Sequence, residues 1–173
     1  MHTEEKINRL KTGFRMLEAS VNNLAQAQLF YRPSPDSWNI HEVIEHIFIV
    51  EFGTARILRM PAKLQEPTWR EIVGEKGIES YLSDPSPVAA PEAVIPKGRF
   101  AGQEELMKKF SETRMALIND LEQNLIVFGD DAMKHPLLGE MTKMDWLNFA
   151  VLHAERHLQQ IERLKARALS AGM

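Results

Sequence analysis

An unbroken stripe of apolar residues near the N-terminus constrains the fold of this chain more than any other feature. From residue 7 onward, apolar side chains recur at alternating steps of three and four: Ile7, Leu10, Phe14, Leu17, Val21 and Leu24. This spacing places them on one face of an α-helix, and such a face must be buried against other helices. The stripe therefore predicts a first helix that ends before the proline-containing segment 31–36 and packs in a bundle.

Three further segments show helical periodicity. The second helix is predicted to begin at Ser37 or Asn39, because Asn39 and Glu42 have the spacing of an N-terminal capping box, and to end at Pro61. The third is predicted over about residues 103–128.

The fourth helix is predicted over about residues 142–168, where Thr142 and Asp145 repeat the capping spacing. No segment alternates as a β-strand does, so the intervening loop 129–141 is expected to lack strands. The sequence therefore predicts an all-α four-helix bundle, formed by a single domain over residues 1–173.

A long crossover, residues 61–100, separates the second and third predicted helices. It contains six prolines and few periodic apolar positions. Residues 68–71 have the spacing to cap one short helix inside it. Trp69 and Tyr81 indicate that part of the crossover packs against the bundle, because aromatic burial is strongly stabilising.

Composition excludes several classes of protein. The formal net charge of −3 argues against a general nucleic-acid binder, which needs a basic surplus. The chain has no cysteine, which excludes disulfides, thiolate ligands and a cysteine nucleophile. No apolar run approaches the roughly 20 residues that span a bilayer, and the N-terminus lacks the pattern of a secretory signal. We therefore expect a cytoplasmic protein without a membrane partner.

Three histidines occupy positions where a buried apolar residue is expected. His153 and His157 lie four residues apart on the inward stripe of the fourth predicted helix, so their rings share one face, with Cβ atoms about 6 Å apart. His46 lies between Val43 and Val50 on the inward stripe of the second. Three imidazoles from facing helices, with a ligand position left open, are typical of a reactive divalent-metal site.

Each of these histidines can also be an isolated core residue that bonds a backbone carbonyl. Burying all three without a metal would require partners for six ring nitrogens, which favours the metal site. Gln160 follows His157 by one turn, and it either bonds that ring or is merely polar at the end of the bundle. Of the other histidines, His2 and His41 are expected to be solvated, and His135 is a candidate for the mouth of the site.

The segments that carry these residues resemble motifs of the DinB-like family. Residues 38–46, Trp-Asn-Ile-His-Glu-Val-Ile-Glu-His, resemble the family's Trp-Ser-Ile-x-Glu-x-x-x-His segment, with Asn39 in place of serine. The pattern His153-x-x-x-His157-x-x-Gln160-Ile161 resembles its C-terminal signature, and residues 136–139 resemble the stretch that often precedes it. Asparagine also caps helices, so the substitution leaves that role intact.

The resemblance covers nearly the whole chain and implies a four-helix bundle with one divalent metal ion held by His46, His153 and His157. Nickel and zinc are the expected ions, with iron, cobalt and manganese as alternatives. The family includes metal-dependent hydrolases and S-transferases that use bacillithiol or mycothiol, and many members are homodimers. Its name does not imply DNA binding.

These features predict a metal-dependent enzyme of thiol S-transferase type that acts on a small-molecule substrate. The metal would lower the pKa of a small thiol cosubstrate, which the chain needs because it has no cysteine. Glu42 is the candidate catalytic proton acceptor, although its capping role explains it equally well. Four arginines are available to bind acidic groups of the thiol: Arg32, Arg56, Arg59 and Arg156.

Three alternatives stay open at this point. The first is a hydrolase that uses the same metal to activate water. The second is a bundle that binds a metal or ligand without catalysis. The third is a structural bundle with three buried histidines and no metal.

Overall fold

Four long helices, predicted from the apolar stripes, form the body of the molecule. The computed structural model describes residues 3–61, 72–84, 86 and 88–173. In chain order its elements are α1 (Thr3–Val21), α2 (Gln26–Leu29), α3 (Ile40–Arg59), α4 (Gly74–Ser83), a 3-10 turn (Glu92–Val94), α5 (Gln103–Glu122), β1 (Ala132–His135), β2 (Gly139–Thr142) and α6 (Lys143–Ser170). Helices α1 and α3 each pack against both α5 and α6. The predicted four-helix bundle is confirmed.

Local capping sets where α3 and α6 begin. The Asn39 side chain accepts the Glu42 N–H at 2.9 Å, and the Glu42 carboxylate accepts the Asn39 N–H at 3.0 Å. Thr142 and Asp145 make the same reciprocal pair at the start of α6. These bonds satisfy backbone donors that the first turn of a helix leaves free, so both predicted starts are confirmed.

Helices α1 and α5 end earlier than their apolar stripes predicted. Asn23 (φ 68°) and Asn124 (φ 52°) adopt the left-handed conformation that terminates a helix. Leu24 and Phe128, to which the prediction extended the two helices, still pack against the core from the loops that follow. The apolar pattern therefore continues past the helix, which is why it overestimated both lengths.

A β-hairpin occupies most of the loop before α6, so the expectation that this loop lacks strands was wrong. Strands β1 and β2 pair antiparallel, with Met133 opposite Met141 and His135 opposite Gly139. Gly139 closes the turn with φ 98°, a conformation that favours glycine. Each strand has only four residues, too few for alternation to be recognised in the sequence.

The crossover contributes one helix to the bundle. Helix α4 packs against α6, with Ile78 and Leu82 buried. Tyr81 also packs against this part of the core, which confirms that a segment of the crossover folds down. Residues 68–71 and Trp69 lie outside the described residues. Within the described part of the chain, no helix has both the length and the hydrophobicity needed to cross a membrane.

Candidate metal centre

Two helices bring His46, His153 and His157 together. His46 projects from α3, and the other two project from successive turns of α6. The Nε2 atom of His153 lies 3.1 Å from Nε2 of His46 and 3.1 Å from Nε2 of His157. One ring nitrogen from each residue lies within 4.8 Å of the others, and the three form a group that can hold a metal ion.

Acceptors on the opposite nitrogen fix the orientation of two of these rings. His46 donates its Nδ1–H to the Val94 carbonyl at 2.8 Å, and His157 donates its Nδ1–H to Oε1 of Gln160 at 2.7 Å. A neutral imidazole with its proton on Nδ1 carries a lone pair on Nε2. Both lone pairs therefore lie beside Nε2 of His153.

This set of donors fits a divalent ion. Imidazole nitrogens bind zinc at about 2.0–2.1 Å, and tetrahedral geometry then separates two of them by about 3.4 Å, close to the distances of 3.1 Å found here. Without an ion, a proton on Nε2 of His153 can be donated to the Nε2 lone pair of His46 or of His157, but not well to both. A cation placed among the three nitrogens satisfies all three lone pairs.

Burial keeps the three imidazoles in the neutral state that binds metals. It lowers the pKa of His157 to about 4. It also lowers the pKa of His46, although the bond to the Val94 carbonyl opposes this shift. For His153, burial and then the neighbouring His157 and His46 hold the pKa well below its usual value.

Glu45, which sequence reasoning missed, anchors the segment that supports His46. We call residues 92–99 the strap. The fully buried Glu45 carboxylate accepts the backbone N–H groups of Lys97 (3.0 Å), Gly98 (3.1 Å) and Arg99 (3.3 Å), and the Arg99 guanidinium at 3.0 Å. Burial raises the pKa of Glu45, but these four donors outweigh it and leave the pKa below its usual value. The same strap carries the Val94 carbonyl that orients His46.

The three histidines line a cavity of about 820 Å³. Its walls come from α3, α4, α6 and the segments 33–38, 88–94 and 135–137. Two aromatic rings cover the histidines: the Trp38 centroid lies 4.8 Å from that of His46, and the Phe149 centroid lies 5.1 Å from that of His153. This size and a largely apolar lining are typical of small-molecule sites.

Glu42 lies at the start of α3 and does not line the cavity. One carboxylate oxygen accepts the Asn39 N–H, and the other accepts the Arg32 guanidinium. The capping role of Glu42 is therefore observed, whereas its catalytic role stays a prediction. Gln160, by contrast, lines the cavity and bonds a candidate ligand.

The remaining histidines divide between the cavity and the core. His135 lines the cavity, as a residue at the mouth of the site would. The expectation that His41 is solvated was wrong: it is buried, bonds Oε1 of Gln103 at 3.0 Å and packs beside Phe30. His2 lies outside the described residues.

The predicted basic residues are mostly engaged elsewhere. Arg32 pairs with Glu42 and Arg59 pairs with Asp120, while Arg56 is exposed and does not line the cavity. Arg156 lines it, but its guanidinium donates to the carbonyl oxygens of Leu82, Asp84 and Ser86 and thereby holds the end of α4 against α6. Two arginines that sequence reasoning missed, Arg163 and Arg167, also line the cavity.

Comparison with known proteins agrees with the fold and with the predicted family resemblance. The family model described as the DinB superfamily matches residues 9–161. The uncharacterized protein YuaE of Bacillus subtilis (strain 168) is 23% identical over 145 residues, which cover 84% of this chain and 88% of that protein. The crystal structure of TT2238, described as a four-helix bundle protein, matches with a TM-score of 0.62 and 19% identity, over 94% of this chain and 99% of that one. This structural likeness shows the fold.

Proposed function

The chain belongs to the DinB superfamily, and from this premise and the cluster of three histidines we propose that it is a divalent-metal-dependent enzyme of thiol S-transferase type. The observation that carries the proposal is the convergence of three neutral imidazoles, from two helices, on the wall of one cavity. Three imidazoles accept nickel, zinc, cobalt or iron, so the supply of metal in the cell would select among them.

When bound, the ion would supply Lewis-acid chemistry that lowers the pKa of a coordinated thiol. The chain itself orients the histidine ligands and shields them from water. Val94 and Gln160 fix two rings, while Trp38 and Phe149 cover the ligands with apolar surface. A cavity of about 820 Å³ gives space for a small thiol beside an electrophilic substrate, which supports a two-substrate reaction.

Elemental analysis of protein purified without a His tag tests the metal centre. We expect about one equivalent of nickel, zinc or iron in the wild type and none in a His46→Ala/His153→Ala variant. His41→Ala is the matched control, because His41 is a buried histidine of α3 outside the cluster, and we expect it to keep its metal. Absence of metal in the wild type, even after reconstitution, would overturn the proposal.

Turnover assays test the reaction. Small thiols are paired with electrophiles, and consumption of each is followed in wild type and in the double variant. We expect thiol-dependent consumption of the electrophile that the variant lacks. Substrate consumption without thiol would establish the hydrolase instead, and a metal-loaded protein inactive with every pair would favour the non-catalytic bundle.

The family resemblance also leads us to propose a cytoplasmic homodimer. Sedimentation velocity of the purified protein tests the oligomeric state, and a monomer at micromolar concentration would contradict it.

A further inference from the structure

We propose that Arg163 and Arg167 of α6 form a subsite for an anionic group, a carboxylate or a phosphate, on the small molecule that the cavity takes. Both side chains line the cavity that also contains His157 and Gln160. The inference deepens the proposed function, because it names the chemical class of the ligand. It does not depend on a metal being bound.

The charge of the cavity is opposite to that of the chain. The chain carries a formal net charge of −3. Apart from the histidines, the charged residues among those that line the cavity are Arg156, Arg163 and Arg167, with Asp36 as the acidic one. A cleft lined mainly by one sign of charge concentrates ligands of the other sign.

Five other arginines of the described chain have acidic partners, whereas the exposed Arg15 and Arg56 have no ion pair among the described residues. The ion pairs are Arg9–Glu155, Arg32–Glu42, Arg59–Asp120, Arg99–Glu45 and Arg114–Glu51. The third arginine of the cavity, Arg156, is held by three backbone carbonyls. Within the described residues, neither Arg163 nor Arg167 has an ion pair or a hydrogen bond from its guanidinium.

No acidic residue of α6 lies three or four positions from either arginine, and the neighbouring Glu162 pairs with Lys165. The positions three and four residues from each hold Gln159, Gln160, Leu164, Ala166, Ser170 and Ala171, besides the two arginines themselves. Two like charges one turn apart disfavour a helix. A bound anion would remove this repulsion and accept hydrogen bonds from both guanidinium groups, whose forked donors match carboxylate and phosphate oxygens.

The helix also sets the shape of the ligand. Arg163 follows His157 by six residues and Arg167 follows it by ten, which places their Cα atoms about 9 and 15 Å farther along the helix axis. Side chains on a helix tilt toward its N-terminus, here toward His157. The ligand is therefore elongated, with its anionic group at the arginine end and its reactive group at the histidine end.

Calorimetric titration tests the subsite. Protein as purified, with its metal content measured on the same sample, is titrated with glutarate, inorganic phosphate and neutral glutaramide at constant ionic strength. The test variant is Arg163→Gln/Arg167→Gln. The matched control is Arg15→Gln/Arg56→Gln, which removes the same charge from two exposed arginines outside the cavity. Arg163→Lys/Arg167→Lys keeps the charge and loses the forked donors.

We expect glutarate or phosphate to bind the wild type at least tenfold more tightly than glutaramide. Whichever of the two binds more tightly shows whether the subsite takes a carboxylate or a phosphate. The glutamine test variant should lose at least tenfold in affinity, the control less than twofold, and the lysine variant an intermediate amount. Equal anion binding by wild type and test variant, or an equal loss in the control, would overturn the subsite. Because metal content is recorded separately, a failure of the metal centre is distinguishable from a failure of the subsite.

Discussion

At the scale of single residues, the hydrogen bond made by one nitrogen of an imidazole determines whether the other nitrogen can bind a metal. His157 presents a lone pair from Nε2 because Gln160 accepts its Nδ1–H. Without an acceptor the ring can rotate or carry its proton on the other nitrogen, and either change removes a ligand. Gln160 therefore acts on a metal through His157.

Replacing Gln160 tests this role. We expect Gln160→Ala to weaken zinc affinity by about 10–100-fold, the usual effect of losing such a hydrogen bond, with the fold unchanged. Competition against a chromophoric zinc chelator measures the affinity. Gln159→Ala changes an exposed neighbour outside the cavity and should bind as the wild type does. Equal affinity in the two variants would contradict the role.

His135 gives a prediction for pH. Burial lowers its pKa to about 4, and its Nδ1 accepts the N–H groups of Leu137 and Leu138, which a protonated ring could not do. In the unfolded chain its pKa is about 6.5. Between these values the unfolded state binds a proton that the folded state does not. His135 therefore lowers the free energy of unfolding as pH falls from about 6.5 to 4, by at most about 1.4 kcal/mol per pH unit.

His135→Asn isolates this contribution, because the asparagine oxygen can accept the same N–H groups and does not titrate. Urea unfolding of the metal-free protein from pH 4.5 to 7.5 measures the slope. We expect a shallower fall in the variant below pH 6.5. Parallel curves for the two proteins would show that His135 takes up its proton equally in both states.

At the scale of elements, the strap and α3 are joined through Glu45. Its carboxylate replaces water for three successive backbone N–H groups, so the position of the strap depends on one side chain. That position in turn places the Val94 carbonyl against His46. Glu45 is thus a positioning residue for the candidate metal centre.

We expect Glu45→Gln to loosen the strap, because an amide nitrogen cannot accept N–H groups and the Arg99 pair is lost. Amide hydrogen exchange of residues 97–99 should become faster, and zinc affinity should fall several-fold. Glu92→Gln makes the same chemical change on an exposed side chain of the strap and serves as the control. Unchanged amide exchange in Glu45→Gln would show that this carboxylate does not hold the strap in place.

At the scale of the whole molecule, a buried ion pair joins α3 to α5. Glu51 and Arg114 are both nearly inaccessible, and the guanidinium also lies over the rings of Phe14 and Phe110. A buried charge left without its partner is costly, whereas replacing both partners with apolar residues is often tolerated.

We therefore expect Arg114→Met to lower the free energy of unfolding by about 3–5 kcal/mol, and Glu51→Met/Arg114→Met to recover most of that loss. Arg59→Met breaks the more exposed pair with Asp120 and should cost about 1 kcal/mol or less. Urea unfolding measures all three. A double variant no more stable than Arg114→Met would show that the cost comes from lost packing.

The single domain over residues 1–173 and the homodimer stay predictions at this scale.

The sequence by itself determined the features that depend on local chemistry. Apolar periodicity and capping residues predicted four helices and the starts of α3 and α6, because both depend on neighbours within a turn. The same periodicity selected His46, His153 and His157, since each interrupts an apolar stripe.

Only the tertiary structure decided what joins distant segments. Helices α1 and α5 end at asparagines in the left-handed conformation, which the spacing of apolar residues does not predict. The short hairpin depends on pairing between strands across a turn. The Val94 carbonyl, the Glu45 anchor and the arginines of the cavity have no spacing signal. The partners of Val94 and Glu45 lie many residues away, and the arginines line a cavity that forms only when the crossover folds over α3 and α6.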